Sequence, residues 1–181
     1  MKYKWKKDSK FYKILSILLC FVIVVLLAYM FWPKETVEIL QELTLPELST
    51  VGFSKVEKIE AESFGDVGIV VLKSGCYELS ANVEAIQAES IKRGLEKIFA
   101  PRPNAHDIAK EIFNSFGIEL LMVKITELKD NAYYSKIILR QGNTILNLDA
   151  RPSDATAIAV RTGSPIYINS TLLKEVGKKI C

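Results

Sequence analysis

Histidine occurs once and cysteine three times in these 181 residues. One imidazole and no Cys-x-x-Cys pair leave too few nitrogen and sulfur ligands for a structural zinc site. Three cysteines are too few for a fold built on disulfides. Internal repeats and low-complexity tracts are also missing, which excludes solenoids and arrays. An even spread of positive charge is missing as well. Six of the 24 basic residues and one of the 21 acids lie in residues 1–32, leaving 18 bases against 20 acids in 33–181. A pI of about 8.6 would suggest a nucleic-acid partner, but the excess sits in the first thirteen residues. The remainder lacks the basic stripe that phosphate contacts ordinarily require. Disorder is excluded by a 49% apolar composition and a mean hydropathy of +0.17.

Charge is wholly absent from Ile14 to Trp32 (ILSILLCFVIVVLLAYMFW). At ~1.5 Å per residue this run approaches the ~30 Å of a bilayer's hydrocarbon core. Trp5, Phe11 and Tyr12 precede it, and Tyr29, Phe31 and Trp32 end it, as interfacial aromatics do. A cleaved signal peptide is the competing reading. It would have a shorter apolar region and small residues at the cleavage site, whereas AYMFWP is bulky. The sequence thus predicts a transmembrane helix at 14–32 after a basic cytoplasmic tail at 1–13. Lys2, Lys4, Lys6, Lys7, Lys10 and Lys13 place that tail inside, and the C-terminal domain becomes extracytoplasmic. Such a location permits a Cys76–Cys181 disulfide, although two free thiols fit the sequence equally well.

Residues 33–50 read as an acidic linker or stalk, with Val37, Leu40 and Leu43 on one face of a short helix that Pro46 breaks. Residues 51–181 suit one domain. Val67–Leu72 reads as a buried strand and Tyr77–Val83 as a weaker one. Ala88, Ile91, Leu95, Ile98 and Phe99 mark a helix over 84–99, stopped by the APRP run. Asn104 is an N-cap for a second helix striped by Ile108, Ile112, Phe113 and Phe116 and ended by Gly117. Strands at 118–128, 133–140 and 144–149 follow, the last two joined by Gly142–Asn143. Pro152 opens a helix that Gly163 closes, and a strand at 165–168 precedes a helix at 171–178. Strands in blocks predict an α+β domain, a mainly antiparallel mixed sheet with packed helices.

The run Asp149-Ala150-Arg151-Pro152-Ser153-Asp154-Ala155, followed by Ala157, Ala159, Arg161-Thr162-Gly163 and Pro165-Ile166, resembles the signature of the bifunctional nuclease family. Arg102-Pro103, His106-Asp107 and Glu84-Ala85 fit the same pattern, with Ala105 where that family usually has Thr. The resemblance covers about Val67 to Val176. It implies an α+β fold that tends to self-associate, and nuclease activity on DNA and RNA. A membrane anchor is not usual in that family.

Phosphodiester hydrolysis needs a proton acceptor, cations to steady the phosphorane, and often carboxylates that hold a divalent metal. Asp107, Asp154 and His106 are the candidate catalytic residues, His106 as the proton carrier. Arg102, Arg151 and Arg161 are the candidate phosphate ligands. Asp107, Asp149, Asp154 and Glu84 form an oxygen set suited to Mg²⁺ or Mn²⁺. Single-stranded nucleic acid fits the modest charge better than duplex. A structural account competes at every position: Asp107 and Asp154 fall in first helical turns, where carboxylates offset the helix dipole, and the arginines can pair with them. The alternative function is accordingly a non-catalytic, membrane-tethered ligand-binding or oligomerisation module.

Overall fold

The computed structural model describes residues 9–30, 45–98 and 101–181. It divides at Leu45–Pro46 into two compact units. The first contains helix α1, Ser9–Met30. Side chains of α1 are described from Ile14 onward, and its large apolar ones are exposed. The last two residues of the expected span, Phe31 and Trp32, lie outside the described residues. Among the described residues no helix is long and apolar enough to cross a membrane. The rest of the expected tail at 1–8, and the expected linker helix with Val37, Leu40 and Leu43, lie outside the described residues.

The second unit is an α+β domain. In chain order it runs β1 (Phe53–Lys55), β2 (Lys58–Phe64), β3 (Val67–Ser74), β4 (Tyr77–Glu84), α2 (Ala85–Glu96), α3 (Ala105–Phe116), β5 (Glu119–Lys129), β6 (Ala132–Gln141), β7 (Thr144–Ala150), α4 (Pro152–Thr162), β8 (Ile166–Asn169), α5 (Ser170–Val176) and β9 (Lys178–Lys179). The strands form two sheets, ordered β1-β8-β5-β6-β7 and β2-β3-β4-β9. Every pairing is antiparallel except β5 with β8. One mixed sheet was expected; there are two because β2, β3 and β4 are joined by turns too tight to reach the second sheet. Gly65 and Gly75 take positive φ in those turns.

Burial follows pattern where strands are two-sided. β3 alternates, with Gly68, Val70, Leu72 and Ser74 inside. Val123, Ile125, Ile138 and Ile168 fill the core of the five-stranded sheet, each at 1% exposure or less. Burying an aliphatic side chain of this kind contributes about 1.5–3 kcal/mol.

Small residues set the helix positions. Ala88 in α2 and Ala155, Ala157 and Ala159 in α4 are buried at 1% or less, so α2 and α4 pack closely. A Cβ on Gly94 would lie 2.5 Å from Val160 Cγ2 and 2.9 Å from Arg161 Nη1.

Two expectations change. The first helix ends at Glu96, before APRP, because Lys97 adopts the left-handed conformation and returns its N–H to Arg93 and Gly94. In α3 the predicted apolar stripe is not a core face. Phe113 packs against the core, whereas Ile108, Ile112 and Phe116 are exposed. They line an open cleft of about 870 Å³ with Ile98, Val160 and the Lys97 and Lys110 chains.

Candidate active site

The start of α3 is organised by its own sequence. Asn104 Oδ1 accepts from the backbone N–H groups of His106 (2.9 Å) and Asp107 (3.0 Å). Asp107 Oδ2 accepts in return from the Asn104 N–H at 3.0 Å, completing a capping box. This rigid turn fixes His106, whose ring faces two other helices. Nδ1 lies 2.9 Å from Ser90 Oγ on α2, and Nε2 lies 3.3 Å from Asp154 Oδ1 on α4.

Asp154 also receives Arg151 Nε on Oδ2 at 2.7 Å. Arg151 is the N-cap of α4 and Pro152 starts the helix. Its guanidinium faces Gln87 as well. The Gln87 amide satisfies both neighbours when its carbonyl oxygen accepts from Nη1 (3.1 Å) and Nη2 (3.0 Å) and its nitrogen donates to Ser153 Oγ (3.3 Å). The hydrogen bond and charge of Asp154, with the charge of Glu84, hold the Arg151 guanidinium above its ordinary pKa. The Arg151 side chain nevertheless remains 68% exposed, while those of Asp154 and His106 are 27% and 16% exposed. The result is a half-open corner: one outward cation, one carboxylate and one imidazole, drawn from the starts of two helices.

Arg161 departs from its expected role as a phosphate ligand. Its side chain is 6% exposed, and Nε donates to Asp107 Oδ1 at 2.6 Å. Nη1 donates to the carbonyls of Ser90 (3.0 Å) and Ala157 (2.8 Å), and Nη2 donates to Ser90 Oγ (3.1 Å). With four of its five N–H donors bonded to the protein, Arg161 staples α2, α3 and α4 together. Asp107 is consumed likewise, one oxygen on Arg161 and the other on the cap. Burial pushes the Asp107 carboxyl up, but the Arg161 and Asn104 hydrogen bonds and the charges of Arg161 and His106 outweigh it and hold it below the ordinary value. Both border the open cleft beside α3, with the polar atoms named here engaged by the protein.

The proposed metal set does not assemble. Asp149 lies on the edge strand β7, 76% exposed and bonded to Lys136 at 2.8 Å. Glu84 is exposed at the N-cap of α2. Among the described residues no three His, Cys, Asp or Glu side chains are grouped to hold a metal ion. Arg102 is exposed in the turn before α3.

Gln87 and Ser90 belong to the corner and were not singled out by sequence. Both are buried on α2 beside Ala88 and Ile91. Polar residues on the apolar face of a helix were the available signal, since such groups need partners. Among the described residues no buried side-chain nitrogen or oxygen lacks one.

The model of the bifunctional nuclease domain matches residues 70–180, which takes in every residue of this corner. The chain belongs to the bifunctional nuclease domain family. It is similar to bifunctional nuclease 1 of Oryza sativa subsp. indica, 37% identical over 89 residues that make up 48% of this chain and 27% of the rice protein. Bifunctional nuclease 1 of Arabidopsis thaliana is 34% identical over 82 residues, 44% of this chain and 25% of that one. An uncharacterized protein of Mycobacterium tuberculosis is 33% identical over 93 residues, 50% of this chain and 55% of that protein. The match thus spans about half of the mycobacterial relative and about a quarter of the plant nucleases.

Proposed function

We propose that this member of the bifunctional nuclease domain family hydrolyses phosphodiester bonds in single-stranded DNA or RNA at the corner of Arg151, Asp154 and His106. The observation that carries the reading is the meeting of His106 and Asp154 across 48 positions of sequence, beside a largely exposed guanidinium. Arg151 grips a phosphate with its outer edge and steadies the charge that builds on the phosphorane. Asp154 orients the attacking water and takes its proton, with His106 holding the carboxylate in place; as the water oxygen bonds to phosphorus the bond to the leaving sugar oxygen breaks, and that oxygen takes a proton from solvent. Arg102, exposed before α3, is a second candidate phosphate contact. The described acids do not form a three-donor set for Mg²⁺ or Mn²⁺.

The test is cleavage of labelled single-stranded oligonucleotides by the full chain in detergent, with Mg²⁺, Mn²⁺ or chelator. Wild type should cut, and Asp154→Asn and Arg151→Ala should each lose about 10²-fold. Undiminished cleavage in both variants removes the site. Loss of all cleavage in chelator restores a metal to the mechanism.

The reading includes a single-pass anchor at 14–32, the N-terminus cytoplasmic and the domain extracytoplasmic. The uncovered apolar side chains of α1 support the anchor, and the Cys76–Cys181 disulfide supports an oxidising compartment. Protease protection of the domain in sealed vesicles tests the orientation.

A second reading is favoured by the exposed Ile108, Ile112 and Phe116 on α3. That face serves a homo-oligomer, and the domain is then a tethered assembly module without turnover. Mass measurement in detergent, wild type against Ile112→Lys, checks it.

A further inference from the structure

The polar cluster joining α2, α3 and α4 contains one proton whose position its partners determine. Asn104 Oδ1 accepts from two backbone N–H groups, so that atom is the carbonyl oxygen. The other amide atom, 3.0 Å from Ser90 Oγ, is therefore nitrogen and can only donate. Arg161 Nη2, which also can only donate, reaches the same Ser90 oxygen at 3.1 Å. A serine hydroxyl has two acceptor lone pairs and one proton. With both lone pairs taken, the proton goes to the remaining neighbour, His106 Nδ1 at 2.9 Å. Nδ1 is then the acceptor of the neutral ring. Nε2 carries the N–H, and Asp154 Oδ1 is its partner at 3.3 Å.

We propose that Ser90 is a positioning residue that locks neutral His106 in the Nε2–H tautomer and so aims a donor at Asp154. Ser, His and Asp in contact resemble the hydrolase triad in composition, but not in role. Ser90 is 5% exposed and its lone pairs are occupied by Asn104 and Arg161. It cannot attack a substrate. Its work is transmitted through the ring: Asp154 receives His106 on one oxygen and Arg151 on the other, and the carboxylate is held in one orientation at the open corner.

The tautomer stands on hydrogen-bond valence alone; its effect on cleavage rests on the function proposed above. Because His106 is the only histidine, selective ¹⁵N-histidine labelling of the full chain gives a single pair of ring nitrogens. At alkaline pH, long-range ¹H–¹⁵N spectra should show Nδ1 as the unprotonated nitrogen in wild type. Ser90→Ala should shift the ring toward Nδ1–H or a mixture, and Ser90→Thr, which keeps the hydroxyl, should restore the wild-type pattern. Cleavage by Ser90→Ala should fall about 10²-fold with KM little changed. A wild-type ring protonated at Nδ1 overturns the proposal without any variant. So does an unaltered Nε2–H ring in folded Ser90→Ala. A wild type that shows the Nε2–H ring but cleaves nothing upholds the lock and removes the nuclease reading instead.

Discussion

Arg161 Nε and Asp107 Oδ1 lie 2.6 Å apart, joining residues 54 positions distant in the chain. The guanidinium is almost wholly enclosed and the carboxylate is 25% exposed. Such a pair is weak evidence of net stabilisation, because desolvation opposes the attraction. Removing one member is another matter.

Arg161→Met should destabilise the domain by about 3–5 kcal/mol, the range for breaking a buried pair. Asp107 would keep its charge without its main partner, and the Ser90 and Ala157 carbonyls would lose donors. The Asp107 carboxyl is held below its ordinary value of 3.8. A depressed acid contributes stability above its unfolded pKa and loses it as pH falls through the folded one. The gap between wild type and variant should therefore be full at pH 7 and narrow as pH falls below the ordinary carboxylate range. Urea midpoints at neutral pH and in steps from pH 3.8 downward measure it. A gap independent of pH would remove Asp107 as the partner that matters.

Lys124 gives a slope of the opposite origin. It is 6% exposed in β5, and Nζ donates to the carbonyls of Glu47 (2.5 Å) and Ser49 (2.6 Å) and sits 5.1 Å from the centre of the Phe53 ring. Burial lowers its pKa below 10.5, and the charge of Glu47 opposes this only in part. In the window between the folded and unfolded values the unfolded chain binds more protons, so stability rises with pH there. Below that window both states are charged and the cost of burying the ammonium is constant. Lys124→Met should flatten the rise on the approach to pH 10.5. Guanidinium denaturation of both proteins from neutral to alkaline pH provides the comparison, and parallel curves would refute it.

Much of the domain was legible because its strands and helices obey simple periods. The alternation of Val67–Ser74 specifies one buried face, and Asn104 with Asp107 writes the capping box directly into sequence. The end of α2 was not legible, because a lysine in the left-handed conformation carries no local signature comparable with glycine. The stripe of α3 misled for a different reason. Helical spacing reports amphipathicity, but not whether the apolar face meets this chain's core or stays open, as at Ile108, Ile112 and Phe116. In the site, the DARPSDA run pointed to Arg151 and Asp154, which do meet. It could not separate them from Arg161, because enclosure of that side chain depends on Gly94 in another helix.

Gly94 accordingly permits a local test of that enclosure. In an isolated helix Gly→Ala is favourable by ~1 kcal/mol. Here the added Cβ meets Val160 Cγ2 at 2.5 Å and Arg161 Nη1 at 2.9 Å. Overpacking of this kind costs about 1–3 kcal/mol, so the steric term should win. Gly94→Ala should lower the thermal midpoint, and Val160→Ala in the same chain should recover part of the loss. A more stable Gly94→Ala would show that α2 and α4 have room to part.

The C-terminus is held by two devices of unequal strength. β9 pairs with Tyr77 and Glu78 of β4, and the Ile180 N–H donates to the Cys76 carbonyl at 2.9 Å. Two exposed ladder positions at a chain end fray readily. The Cys76–Cys181 disulfide, with Cα atoms 5.2 Å apart, closes a sequence separation of 105 residues. Chain-entropy arguments give a loop of that size up to about 4.7 kcal/mol, and measured losses usually fall at 2–5 kcal/mol. Cys181→Ser should therefore cost more than Lys178→Pro, which strikes the ladder and the exposed Lys178–Glu78 ion pair. Reductant should destabilise wild type and leave Cys181→Ser unchanged. Thiol alkylation supplies the control, since Cys20 is the free cysteine. Denatured protein from an oxidising compartment should take one label before reduction and, with three cysteines in the chain, three after it. Three labels without reductant would mean that Cys76 and Cys181 are thiols there, and Cys181→Ser should then cost less than Lys178→Pro, which still loses the ladder.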